Sequence, residues 1–184
     1  MFNSKWIAAH GETAYYLSKD HKLNKIHLTT RAETEVPLPA VATGKKVVDF
    51  SVSSQGILSL LTEDGMVVRG ERSVRLRECK RYLHLLQVGA RLVCVGYDRG
   101  KSEMTVCTVT GGSLVRSVEA KMKVEYAPYC VQTAPLDEQD GHFLLFVGEY
   151  WSSTRVTVYS VDGKTVQQVA QRRVLPVGSD GRLW

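Results

Sequence analysis

The chain has 184 residues, 43% of them apolar and 23% charged, which is enough to bury a real core in one large domain or two small ones and excludes wholesale disorder. A net charge of +5 keeps the chain soluble and gives weak attraction to polyanions, without by itself making a nucleic-acid binder. No run approaches the roughly 18 apolar residues of a membrane span, and residues 1–10 lack the long apolar stretch of a secretory signal, so the expected location is intracellular, cytoplasmic or nuclear, with no membrane partner.

Four segments share one pattern along the chain: an apolar run, a polar turn, then an alternating strand. The first is Ala14 to Leu17, a turn from Ser18 to Leu23, and Asn24 to Leu28, with a further strand at Glu33 to Leu38. The second is Ile57 to Leu61, the turn Thr62-Glu63-Asp64-Gly65, and Met66 to Val68. Gly65 accepts the positive φ that a tight hairpin needs. After it, Ser73 to Leu86 reads equally as a helix or as a strand and turn, because short apolar runs fit both periods. The third unit is Leu92 to Val95, a turn from Gly96 to Glu103, and Met104 to Val109, with Gly111-Gly112 turning into a strand at Ser113 to Val118. Pro135 to Gly141 reads as an exposed loop. The fourth unit is Phe143 to Val147, a turn from Gly148 to Arg155, and Val156 to Val161, with Asp162-Gly163 leading to a strand at Thr165 to Val169. The runs are short, rich in β-branched and aromatic residues, and bounded by turn formers, which is the signature of half-buried strands.

The units recur at about 40 to 50 residues, the period of propeller blades. Val156-Thr157-Val158-Tyr159-Ser160-Val161-Asp162-Gly163-Lys164 resembles the third strand and turn of a WD40-like blade, and Thr105 to Gly112 is similar to it. Lys45 to Phe50 followed by Leu60 to Val67 resembles one repeat of the RCC1 family. The resemblance implies an all-β fold of antiparallel four-stranded units, a degenerate WD40-like β-propeller of about four blades. Residues 1–184 are then a single propeller-like domain. The ending at Ser179 to Trp184 looks like the start of another turn and strand, so an incomplete propeller, a fragment or short isoform of a longer one, is expected.

No residue set has the spacing of a catalytic site. No nucleophile elbow, phosphate-binding loop or His-Glu-x-x-His is present. His21 and His27, with Asp20, sit near one turn, but a metal centre needs three or four converging ligands. Asp137, Glu138 and Asp140 share a loop without calcium-loop spacing and read as a solvated acidic loop. No metal, cofactor or catalytic residue is therefore expected. The cysteines Cys79, Cys94, Cys107 and Cys130 form no Cys-x-x-Cys pair and read as buried reduced thiols of an intracellular protein, Cys130 among them as a packed strand thiol.

Two features point to partners. Arg69, Arg72, Arg75, Arg77, Lys80 and Arg81 fall in one short window offset by Glu71 and Glu78, and hold most of the net positive charge. Such a group neutralises phosphates or is a solvated charged face. Tyr150 and Trp151, at a hairpin tip, are candidate partner-binding residues, because Trp and Tyr dominate interface hot spots. The expected function is a non-enzymatic protein–protein interaction scaffold, a subunit of an intracellular multiprotein complex. The alternative is an RNA- or ribonucleoprotein-associated propeller that binds through residues 69–81.

Overall fold

The computed structural model describes residues 7–77, 79–110, 112–137, 142–149, 155–162 and 165–173. Among these residues sixteen strands fall into four sheets of four. The first sheet holds β1 (Ile7–His10), β2 (Thr13–Leu17), β3 (Leu23–His27) and β4 (Glu33–Glu35); the second holds β5 (Val47–Val52), β6 (Leu58–Thr62), β7 (Met66–Arg69) and β8 (Arg72–Arg75). The third holds β9 (Tyr82–Val88), β10 (Arg91–Asp98), β11 (Glu103–Thr110) and β12 (Arg116–Lys123); the fourth holds β13 (Pro128–Asp137), β14 (His142–Glu149), β15 (Arg155–Val161) and β16 (Val166–Arg173). Within each sheet the strands lie side by side in chain order, every neighbouring pair antiparallel. The first strands of successive sheets also touch, β1 on β5, β5 on β9 and β9 on β13, so the sheets fan out from a common inner edge. Four such sheets are consecutive blades of a β-propeller, the all-β architecture expected from the repeats.

Strand alternation explains why the sheets stack. Leu92 and Cys94 of β10 face the second blade, while Val93 and Val95 face the fourth. Each seam between blades is one apolar cluster. Leu23, Phe50, Leu60 and Val68 fill the first, Val67, Tyr82, Leu85 and Leu92 the second, and Val95, Val106, Phe143 and Leu145 the third. Each such side chain, fully buried, contributes about 1.5–3 kcal/mol. Cys94 and Cys107 stand directly opposite one another across β10 and β11, and both are buried thiols outside any disulfide. The expected burial does not hold for the other two: Cys79 is half-buried, and Cys130, on the edge strand β13, is exposed.

The 62–65 hairpin forms as expected. Gly65 has φ +77°, its amide donates to the Thr62 carbonyl, and an added Cβ would lie 2.9 Å from the Leu76 carbonyl oxygen. The ambiguous segment Ser73 to Leu86 is strand and turn, not helix. Val74 pairs with Val67, and Leu76, Tyr82 and Leu85 all enter the second seam, a demand that extended backbone on both sides of a turn satisfies. The expected loop Pro135 to Gly141 is shorter than its composition implies: β13 continues to Asp137 through a register shift, and residues 138–141 lie outside the described residues. Proline is tolerated there because β13 is an edge strand with an irregular ladder. The strand expected at Ser113 to Val118 lies later, beginning at Arg116. Among the described residues no helix is long and apolar enough to cross a membrane.

Candidate functional site

The four inner strands enclose a groove of about 520 Å³, whose lining includes Ile7, Phe50, Ser51, Gln87, Tyr129 and Cys130. Two side chains fix its walls. Asp49 is buried, and its Oδ1 accepts the Phe50 amide proton at 2.9 Å while its Oδ2 accepts that of Leu85, in the next blade, at 2.8 Å. His84, also buried, lies with Nε2 3.2 Å from the Pro128 carbonyl, so the tautomer protonated at Nε2 ties the third blade to the fourth. Polar side chains of one inner strand thus hold the backbone of the next.

Other polar atoms in the groove are not used this way. Ser51 Oγ and Gln87 Oε1 are buried without a hydrogen-bond partner among the described residues, although the Gln87 amide nitrogen donates to the Gly89 carbonyl. A buried polar atom left without a partner costs about 1–3 kcal/mol, and a side-chain rotation that brings it to a ligand group at the groove surface recovers that cost. Tyr129 and Ile7, both about half exposed, stand at the rim.

The basic stretch is split by strand geometry. Arg69 and Arg72 pair across the tip of the β7–β8 hairpin, on the face toward the third blade, and Arg72 donates to the Gly112 carbonyl at 2.8 Å. They line a second, open groove of about 790 Å³ together with Glu71 and Ile57. Arg75 points to the opposite face and forms an ion pair with Asp64, which also holds Lys45 at 2.6 Å. The Lys45 ammonium, helped by Thr62 and Arg75, keeps the Asp64 carboxyl below its usual range. Arg77, Lys80 and Arg81 are exposed on the connection between β8 and β9. The structure therefore brings Arg69 and Arg72 together and separates both from Arg75.

Tyr150 and Trp151 lie outside the described residues. Next to them in sequence, Glu149 is half-buried, and burial raises its carboxyl above the ordinary value. Thr157 donates to its Oε1 at 3.4 Å, and Arg155 pairs with Glu125 at 2.8 Å. His21 Nδ1 donates to the Val47 carbonyl and His27 pairs with Glu12, so these two rings turn to different partners. Among the described residues, no three metal-ligating side chains converge. Of the acidic trio, Asp137 ends β13, and Glu138 and Asp140 lie outside the described residues.

Sequence reasoning finds the basic stretch because its members are close in the chain. It misses the axial groove, whose walls come from four segments far apart. Lys45 to Phe50, singled out for its propeller resemblance, held the one available signal: Asp49, a carboxylate inside an apolar strand.

No protein-family model and no curated protein matches the sequence. Solved structures do. BamB from Moraxella catarrhalis is 13% identical with a TM-score of 0.59, over 98% of this chain and 52% of that one. The β-propeller domain of the Trilobed protease from Pyrococcus furiosus, with an open velcro topology, is 13% identical with a TM-score of 0.51, over 92% of this chain and 58% of that one. A structure from S. cerevisiae, Dbp5 bound to Nup159 and Gle1, contains a chain 14% identical with a TM-score of 0.57, over 95% of this chain and 54% of that one. The chain spans a little over half the length of these three, and the likeness is one of fold.

Proposed function

We propose that this chain is a non-enzymatic protein-interaction scaffold, a subunit of an intracellular multiprotein complex, and that the axial groove takes an extended segment of a partner protein. The observation that carries this reading is the pair of buried, unpartnered oxygens, Ser51 Oγ and Gln87 Oε1, in a groove walled by Phe50 and rimmed by Tyr129. Turned toward the groove, such acceptors match the backbone amides of an extended peptide, and an aromatic rim supplies contact area. The matched S. cerevisiae structure is itself a complex of several proteins, which is in keeping with this role. The test is a tagged pull-down from cells, with and without nuclease, comparing the natural chain with a Ser51→Val, Gln87→Leu variant. A defined protein set that resists nuclease and is lost in the variant supports the groove. A set that survives the variant removes it.

The second reading, RNA or ribonucleoprotein binding through residues 69–81, draws its support from Arg69 and Arg72 meeting at one hairpin tip beside an open groove. Against it, Arg75 is spent on Asp64. Collapse of the captured set on nuclease treatment would favour this reading.

A further inference from the structure

Each of the three seams packs one face of a blade against the opposite face of the next, which leaves two faces over: that of the first blade turned away from the second, and that of the fourth turned away from the third. Register identifies their residues. On the fourth blade, Phe146 pairs with Val158 and Gly148 with Val156, and Leu144 stands on the same face. These positions repeat the third blade, where Val95 pairs with Val106 on the face that packs against the fourth. Yet Leu144, Phe146, Val156 and Val158 are only half-buried and belong to none of the three apolar clusters. On the first blade, Ile7 pairs with Tyr16 and Ala14 with Ile26, facing away from the cluster that Leu17 and Leu23 enter. Among the described residues no element covers either face.

The two faces also differ in charge. On the outer strand of the first blade, Glu35 pairs with Asn24 and Glu33 with Ile26, which puts both carboxylates on the uncovered face; Glu33 accepts the Tyr16 hydroxyl there, and Glu35 holds Lys22 at 3.0 Å yet stays more than half exposed. On the outer strand of the fourth blade, Arg172 pairs with Val156, which puts an exposed guanidinium on the other uncovered face. Glu35 and Arg172 lie at the same end of their blades, the end with the hairpin between second and third strands.

We propose that two copies of this chain close into one ring, the fourth blade of each packing on the first blade of the other, with Arg172 of one copy opposite Glu35 of its partner. A two-fold axis along the groove relates the copies and makes both new seams at once, so the contact closes on itself rather than growing into a fibre. Two copies of four blades give eight, within the roughly four to eight blades at which propellers close. The chain covers 52% of BamB and 54% of the matched S. cerevisiae chain, so two copies together match the length of either. The inference is independent of what the groove binds.

Light scattering coupled to size exclusion on the 184-residue chain tests it. The expected result is a discrete species of twice the 20.5 kDa chain mass. Phe146→Asp, on an uncovered face, should give a monomer with an unchanged β-sheet circular dichroism spectrum. Arg172→Glu should weaken the dimer about tenfold, and Glu35→Arg in the same chain should restore it. A natural chain that stays monomeric, or that grows into open-ended assemblies, overturns the ring and leaves further blades on a longer polypeptide as the occupant of both faces. A dimer indifferent to Phe146→Asp and to Arg172→Glu overturns it too, because the copies then meet elsewhere.

Discussion

Asp49 Oδ2 accepts the amide proton of Leu85 at 2.8 Å, a bond between residues 36 positions apart that joins the inner strands of the second and third blades. Both residues are buried. Replacing Asp49 with Ala leaves the buried Leu85 amide without this acceptor, and the expected loss is about 1–3 kcal/mol of stability. Asn keeps one acceptor oxygen and should cost less. Urea titration of the two variants checks this; equal losses would remove the bond as the cause.

Gly96 sits at the register shift between β9 and β10. A Cβ there would lie 2.7 Å from Cys79 Sγ and 3.0 Å from the Arg81 carbonyl oxygen. The thiol can turn aside, but the carbonyl is backbone and already accepts the Tyr97 amide proton. Gly96→Ala should therefore destabilise by about 1–3 kcal/mol, the usual range for overpacking. A thermal melt within error of the natural chain's would contradict that.

Acid should weaken the hairpin around Asp64. Its folded pKa is depressed, chiefly by the Lys45 hydrogen bond, so its contribution is complete above the unfolded value near 3.8 and is lost as pH falls through the lower folded value. The side chain is 37% exposed, so screening holds the effect to about half a kcal/mol or less. Denaturation midpoints measured between neutral pH and pH 2 should fall less for Asp64→Asn than for the natural chain.

Glu149 should behave in the opposite sense. Burial raises its folded pKa, so the ionised form is disfavoured in the folded chain and stability is gained as pH drops through that value. Glu149→Gln removes a half-buried charge and should raise the melting temperature at pH 7. Below the unfolded carboxyl value near 4.5 the advantage should vanish. A gain that persisted there would assign it to some cause other than ionisation.

The aromatic pair and the arginine pair predict separable outcomes. Tyr150→Ala with Trp151→Ala should reduce protein capture while leaving RNA affinity unchanged. Arg69→Glu with Arg72→Glu should leave protein capture intact and, on the RNA reading alone, abolish low-salt RNA binding with its steep salt dependence. RNA retention by the arginine variant would retire that hairpin tip as the binding surface.

The second and third strands of every blade are legible in the sequence because each pairs an apolar run with a turn. Phe143 to Val147, Asp162-Gly163 and Glu63-Asp64-Gly65 each announce themselves locally. Inner strands are harder. In β9, Tyr82 and His84 are buried alongside Leu85, so polar letters stand where a core strand would show apolar ones. In β13, Pro135 and Asp137 look like loop residues, yet an edge strand with a bulge admits both. The basic stretch misleads for the converse reason. Adjacent strand residues point to opposite sides, and Arg72 and Arg75 share a strand without sharing a face. The groove depends on which blade follows which around the axis, information that no local window contains.

The facing thiols of Cys94 and Cys107 give the molecule an internal clock. Burial, with the neighbouring thiol, pushes Cys94 well above its ordinary ionisation range, so alkylating reagents find almost no thiolate there. Cys130 is open to solvent and Cys79 partly so. Modification should therefore proceed in two phases, an early one at Cys130 and Cys79 and a late one whose rate is set by how often the seam between the second and third blades parts. Mass spectrometry of a labelling time course would read the breathing of that seam directly, with no probe added to the chain.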